Sequence, residues 1–185
     1  MADRFQPCLV ILTGPPGAGK TTVARALAEA AETPTVHLHT DDFFAAIRRG
    51  FIAPWLPESS GQNMVISQAI AAAAGAFAEG GYGVIVDGVV GPWHLDPYRV
   101  EASRAGVPLD YVVLRPERSV AIARARDREI GPLAEYPPNI FEGFAGLGPL
   151  ESHVIALGDM GVDEVAEAVR LGVADGRFRL GDLAR

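Results

Sequence analysis

Short apolar runs alternate along this chain with longer stretches that have helical spacing. Cys8-Leu9-Val10-Ile11-Leu12 is continuous and apolar, the pattern of a strand buried on both faces, and Thr22 to Ala30 follows with helical periodicity. Thr33-Pro34 breaks the chain, after which Thr35-Val36-His37-Leu38-His39 alternates as a strand does. Asp41 to Arg49 reads as a short helix ending at Gly50, and 51–61, with Pro54 and Pro57, as a loop. A long helix is expected from Gln62 to Glu79, stopped by Gly80-Gly81, and a buried strand from Gly83 to Asp87. Further on the pattern predicts a helix over 94–105, a strand from Leu109 to Leu114 and an Ala/Arg-rich helix from Glu117 to Glu129. Ile130 to Leu150 carries Pro and Gly without clear periodicity. His153 to Leu157 then closes the strand set, and Asp163 to Ala174 is the last helix.

Five apolar strands alternating with helices imply an α/β fold with a parallel sheet covered on both faces. Ligands in such sheets bind beyond the carboxyl ends of the strands, which directs attention to the residues just after each apolar run. The length suits a single domain, 1–185, with neither internal repeat nor low-complexity tail.

Composition narrows the function classes. Apolar content of 49% and charged content of 21% describe an ordinary globular protein. A net charge of −7 without a basic stripe argues against a nucleic-acid partner. The absence of a long apolar run argues against a membrane span, and no secretory signal is visible, so a cytoplasmic location is expected. The lone Cys8 sits in a strand and reads as a small buried hydrophobe.

One cation stands apart. Lys20 is the only lysine, whereas every other basic side chain is an arginine, and it falls within Gly14-Pro15-Pro16-Gly17-Ala18-Gly19-Lys20-Thr21. That is the G-x-x-x-x-G-K-[ST] phosphate loop, here in its required setting between a strand and a helix. A compact ammonium on a flexible stem reaches between phosphate oxygens where a planar guanidinium fork would not fit. Gly14, Gly17, Ala18, Gly19, Lys20, Thr21 and Thr22 are therefore the candidate ligands of a nucleotide polyphosphate, with ATP the expected cofactor. The Thr21 hydroxyl is a candidate Mg²⁺ ligand.

Three further groups follow from position. Asp41, directly after the second strand, is a candidate general base, with Asp42 beside it as a capping or supporting carboxylate. Asp87 ends an apolar strand, as a Walker B carboxylate does, and is a candidate Mg²⁺ ligand. Arg124 and Arg128 share one helix face ahead of the irregular segment 130–150, a candidate lid, and would close over the phosphates. His37 and His39 point to one side of their strand and read as structural, short of a metal site without a third ligand. Trp55, Phe43, Phe44 and Trp93 read as core or pocket wall, and His94 and Asn139 as candidate polar contacts to a substrate.

With these residues in place, the chain resembles small P-loop kinases such as gluconokinases, shikimate kinases and chloramphenicol phosphotransferases, and is similar to uncharacterised bacterial phosphotransferase-like proteins. The resemblance rests on the phosphate loop, on Thr40-Asp41, on Pro54-Trp55-Leu56, on Arg124-Ala125-Arg126-Asp127-Arg128 and on Phe144-Ala145-Gly146-Leu147. It implies a three-layer P-loop fold with strand order 2-3-1-4-5 and transfer of the ATP γ-phosphate to a small-molecule hydroxyl. Gluconokinases carry a lysine shortly after the third strand, and Asp87 to Trp93 has none. That departure argues against gluconate and for an uncharged or cationic hydroxyl compound, with antibiotic-like and nucleoside-like acceptors open. The alternatives are a nucleotide-dependent regulatory ATPase or switch protein, opposed by the lack of an N-K-x-D guanine motif, and a toxin-like nucleotide-sugar kinase.

Overall fold

Five of the apolar runs pair side by side in one all-parallel sheet, in the order β2-β3-β1-β4-β5. The strands are β1 (Leu9–Thr13), β2 (Thr35–His39), β3 (Gly83–Asp87), β4 (Leu109–Arg115) and β5 (Val154–Ala156). The helices are α1 (Lys20–Glu29), α2 (Thr40–Ala45), α3 (Ser60–Glu79), α4 (Asp96–Ala105), α5 (Arg118–Arg126), α6 (Pro138–Glu142) and α7 (Val162–Ala174). The computed structural model describes residues 7–126 and 138–181.

The fold class and the strand order are those the sequence led us to expect. The continuous apolar runs β1 and β3 are buried along their whole length, and β4 all but its last residue, whereas the alternating run β2 lies half-buried at an edge. Successive side chains of β1 serve opposite faces. Leu9 and Ile11 join a core with Ile66 and Ile70 of α3, Tyr98 of α4 and Phe144. Val10 and Leu12 join Val23 of α1, Val169 and Val173 of α7, and Phe178 on the other face.

Two expectations are corrected. The helix read as Asp41 to Arg49 ends at Ala45, because Phe43, Phe44 and Ile47 turn into the core. Ile47 N–H bonds Phe44 O at 3.1 Å, a tightened last turn that releases Arg48-Arg49 to solvent-facing backbone. Of the segment read as irregular, 130–150, residues 130–137 lie outside the described residues, and the remainder holds α6 and the start of a 3₁₀ turn over Gly148–His153, with Phe144 and Leu147 buried in the core. Apolar burial there outweighs the Pro and Gly punctuation. Glu151 accepts from the Leu147 amide and from both Arg115 terminal nitrogens, which ties this segment to the end of β4.

The chain's last described residues are also part of the core. Leu180 N–H bonds Leu109 O, Tyr111 N–H bonds Phe178 O, and the Phe178 ring is fully buried. A Phe178→Ala variant is expected to lose about 3–5 kcal/mol of unfolding free energy in a urea titration, the usual cost of an emptied aromatic site. A loss below about 1 kcal/mol would show that the C-terminal segment only rests on the sheet.

Candidate active site

The carboxyl edge of the sheet gathers the chemistry. β1 ends at Thr13, and the loop that follows turns on Gly14, Gly17 and Gly19, with φ of +146°, +78° and +80°. At Gly14 a side chain is excluded twice over, since a Cβ would lie 2.2 Å from the Leu114 carbonyl oxygen and the backbone angle is one that L residues rarely adopt. The loop feeds straight into α1, which has no side-chain cap and no acidic residue in its first turn. Its free N–H groups and positive dipole end are thus left for an anion. Lys20, only 8% exposed, donates from Nζ to the Pro15 carbonyl at 3.0 Å, so its ammonium lies folded along the loop.

Asp87, at the end of β3, is wholly buried and held on both oxygens. Thr21 donates to Oδ2 at 2.7 Å, and Oδ1 meets His37 Nε2 at 2.6 Å and His39 Nδ1 at 2.9 Å. The parallel register that sets His39 opposite Asp87, and His37 opposite Ile85, puts both imidazoles on this carboxylate. Burial disfavours the carboxylate's charge, but the bonds from His37, His39 and Thr21 outweigh it and hold Asp87 well below the usual carboxylate range. His39 is the counterpart. Asp41 Oδ2, 3.5 Å from its Nε2, and Asp87 push the imidazole up to about 10 against the effect of burial. His37 and His39 were both read from the sequence as structural, and His39 thus joins the candidate metal carboxylate to the candidate base. Period-two spacing plus the strand order was enough to find that contact.

Asp41 lies in the first turn of α2, partly exposed, and faces the same cavity as the loop. That cavity, about 340 Å³, runs from Gly17, Lys20 and Thr21 past Asp41 towards α3 and α4. Its far wall includes Trp55, Trp93, His94, Asn63, Ser67 and Tyr98. The backbone after β3 is pinned over the sheet. Thr13 Oγ1 donates to Val90 O at 3.1 Å and accepts from Val90 N–H at 2.9 Å, while the Tyr111 hydroxyl donates to the same carbonyl at 2.9 Å.

Of the residues singled out from sequence, Gly17, Gly19, Lys20, Thr21, Asp41, Phe44, Trp55, Trp93 and His94 line this one cavity, and Asp87 is tied to it through Thr21. Thr22 is exposed on α1, and Asp42 is not part of the lining. Arg124 is exposed on α5 and does not reach the cavity, and Arg128 lies outside the described residues. Sequence reasoning missed Asn63, Ser67 and Tyr98. The only available signal was that Asn63, Ile66, Ser67 and Ile70 share one face of a helix otherwise rich in alanine.

Among the described residues no three His, Cys, Asp or Glu side chains are arranged to hold a metal ion by themselves. The paired Thr21 hydroxyl and Asp87 carboxylate fit Mg²⁺ shared with substrate phosphates, the way this ion is commonly bound. No helix among the described residues is long and apolar enough to cross a membrane.

A parallel sheet in this order, with a glycine-turned loop running into an uncapped helix, defines a P-loop α/β domain. Residues 9–132 match the family described as AAA domain (AAA_33), and the chain belongs to that family. A search of the curated proteins finds no match. Among solved structures, a sugar kinase from Janibacter sp. superposes with a TM-score of 0.64 at 20% identity, over 91% of this chain and 95% of that one. A gluconokinase from Sinorhizobium meliloti gives 0.64 at 22% identity, over 93% and 94%. An APS kinase from Mycobacterium tuberculosis, in complex with AMPPNP and APS, gives 0.66 at 17% identity, over 91% and 98%. At these identities the likeness establishes a shared fold.

The His39 environment carries a pH signature. Its raised value means that the ion pairing stabilises the fold fully below the unfolded imidazole value near 6.5, and that this contribution fades as pH rises towards about 10. His39→Gln is therefore expected to lower the melting temperature most at pH 6, less at pH 8.5 and hardly at all above pH 10. Because the ring is partly exposed, the shift at pH 6 should be a few degrees only. A deficit that grew with pH in calorimetric scans would contradict the assignment.

Proposed function

We propose that the protein is an ATP- and Mg²⁺-dependent kinase that transfers the γ-phosphoryl group to a hydroxyl of a small molecule. The observation that carries this reading is the single cavity in which the phosphate loop and Asp41 stand together before a walled space beyond. A second compartment of that kind suits an enclosed acceptor, whereas a switch protein needs only the nucleotide and a mobile readout. The kinases among the structures that superpose on this chain support the same reading.

The residues divide the work as follows. The loop amides and the N-terminus of α1 hold the β- and γ-phosphates, and Lys20 turns from the Pro15 carbonyl to bridge them. Thr21 and Asp87 would hold Mg²⁺, which supplies charge neutralisation on the phosphate oxygens. Asp41 aligns the acceptor hydroxyl and takes its proton as the new oxygen–phosphorus bond forms. The bond from the γ-phosphorus to the β–γ bridging oxygen breaks, and its electron pair leaves with ADP. His39 holds Asp41 towards that position by the pairing at 3.5 Å. Arg124 and Arg128 belong to the proposal as lid arginines that balance the transferring charge.

A screen of hydroxyl compounds for acceptor-dependent ADP release tests the activity. Nucleotide-dependent capture of a protein partner, with no acceptor consuming ATP, would favour the regulatory alternative. Lys20→Arg is expected to be nearly as damaging to kcat and ATP affinity as Lys20→Ala, because the loop takes a point charge and not a fork. Asp41→Asn should lower kcat by roughly 10²-fold or more with ATP binding largely intact, the signature of a lost base. If titration calorimetry showed ATP binding abolished in Asp41→Asn, Asp41 would be a metal or folding residue.

A further inference from the structure

The far wall of the cavity is built partly from α3 and partly from the loop 52–59 ahead of it, which carries Pro54 and Trp55. Leu56, Pro57 and Glu58 of this loop are exposed, so burial does little to hold it. Hydrogen bonds to the first turn of α3 hold it instead. Gln62 pairs twice with Ile52, accepting from its backbone N–H at 2.9 Å and donating to its carbonyl at 2.7 Å. Asn63 donates both Nδ2 protons, to Pro54 O at 2.7 Å and to Ser59 Oγ at 2.9 Å. Ser59 Oγ lies 2.8 Å from Pro54 O and 2.7 Å from Leu56 O, and shares its proton between them. The Leu56 N–H bonds Ala53 O at 3.0 Å, so the backbone is held on both sides of Trp55.

Gln62 separates positioning from contact. It does not line the cavity, whereas Pro54, Trp55 and Asn63 do. Its side-chain amide offers one acceptor and one donor to the N–H and C=O of a single residue, as a residue of a neighbouring strand would. A glutamate of the same shape offers acceptors only, and a methionine of similar length offers no donor. α3 itself is anchored by Ile66 and Ile70, which lie in the core with Leu9 and Ile11 of β1. The order of dependence therefore runs from the core to α3, from α3 through Gln62 to the loop, and from the loop to Trp55.

We propose that Gln62 is a positioning residue, which through the Ile52 backbone holds Trp55 at the cavity before any ligand enters. This wall is then preformed and not assembled on binding. An acceptor that meets it does not have to order the loop first, and nearly every molecule is competent to bind. That the space takes an acceptor rests on the kinase reading above, whereas the state of Trp55 in the free protein does not.

The chain has two tryptophans, so Trp93→Phe leaves Trp55 as the sole reporter. In that background, without ligands, time-resolved anisotropy should show Trp55 turning with the whole protein. Adding Gln62→Glu or Gln62→Met should introduce a fast rotation and raise acrylamide quenching about twofold or more. Hydrogen exchange gives a second reading with both tryptophans in place. The Ile52 amide should exchange slowly in the free parent protein and at least about 10-fold faster in Gln62→Met. Fast rotation or fast exchange already present in the parent would overturn the inference. So would a Trp55 that stays fixed in both variants while their melting temperature falls, the pattern of a merely structural glutamine. With the most active hydroxyl compound of the ADP-release screen as probe, Gln62→Glu should raise acceptor KM about 10-fold, as when the wall stands in place a tenth of the time. The KM for ATP should not change. Release of Trp55 with an unaltered acceptor KM would overturn the positioning role and leave the kinase reading intact. ADP release with none of the compounds would overturn the kinase reading, and rotation and exchange would still decide for or against Gln62.

Discussion

The bond from the Thr21 hydroxyl to Asp87, 2.7 Å long, joins the start of α1 to the end of β3, and the geometry of the site depends on it. A wholly buried carboxylate is expensive unless every oxygen is engaged. Here its partners come from two separate elements, α1 through Thr21 and β2 through His37 and His39, and the carboxylate itself sits on a third, β3. The charge is satisfied only when all three are docked in register. The cost of burying one ion therefore becomes a force that sets the phosphate loop, Asp87 and, through His39, Asp41 in fixed relation.

A second aspartate shows that burial alone does not decide such a group's state. Asp110 on β4 is as buried as Asp87. It receives only Arg179, at 3.2 Å on Oδ1, and its Oδ2 has no partner. Burial dominates there and raises its pKa, Arg179 notwithstanding, whereas three donors carry Asp87 the other way. The same side chain, equally sheltered, responds in opposite directions because the number of donors differs. One is organised to remain an anion at the ligand edge. The other, across the sheet by the C-terminal bridge to Arg179, serves packing.

Much of this was legible in the chain. Continuous apolar runs marked β1, β3 and β4 as buried, and the unique lysine with its glycines located the phosphate loop before any coordinates. Asp41 and Asp87 followed from standing just past apolar runs, since parallel sheets bind ligands there. The extents of α2 and of the segment 130–150 were not legible, because Phe43, Phe44, Phe144 and Leu147 find their partners only in the assembled core. Local punctuation by Gly and Pro cannot report such long-range burial. Asn63 and Tyr98 were invisible for a related reason. Asn63 has meaning only once the 54–59 loop occupies its amide protons, and Tyr98 only once α4 packs on α3.

Unpartnered buried atoms are not all equal as evidence. Arg115 Nε and Asp110 Oδ2 are without partners. Each belongs to a side chain whose other atoms are already committed, Arg115 to Glu151 through both terminal nitrogens and Asp110 to Arg179. Neither lines the cavity. Asn63 Oδ1 differs in that its residue lines the cavity, as does Tyr98, whose hydroxyl has the Ser67 side chain as its polar neighbour. An open acceptor beside a cavity can be answered by a small rearrangement of the wall, whereas the atoms of a committed ion pair cannot turn without breaking it.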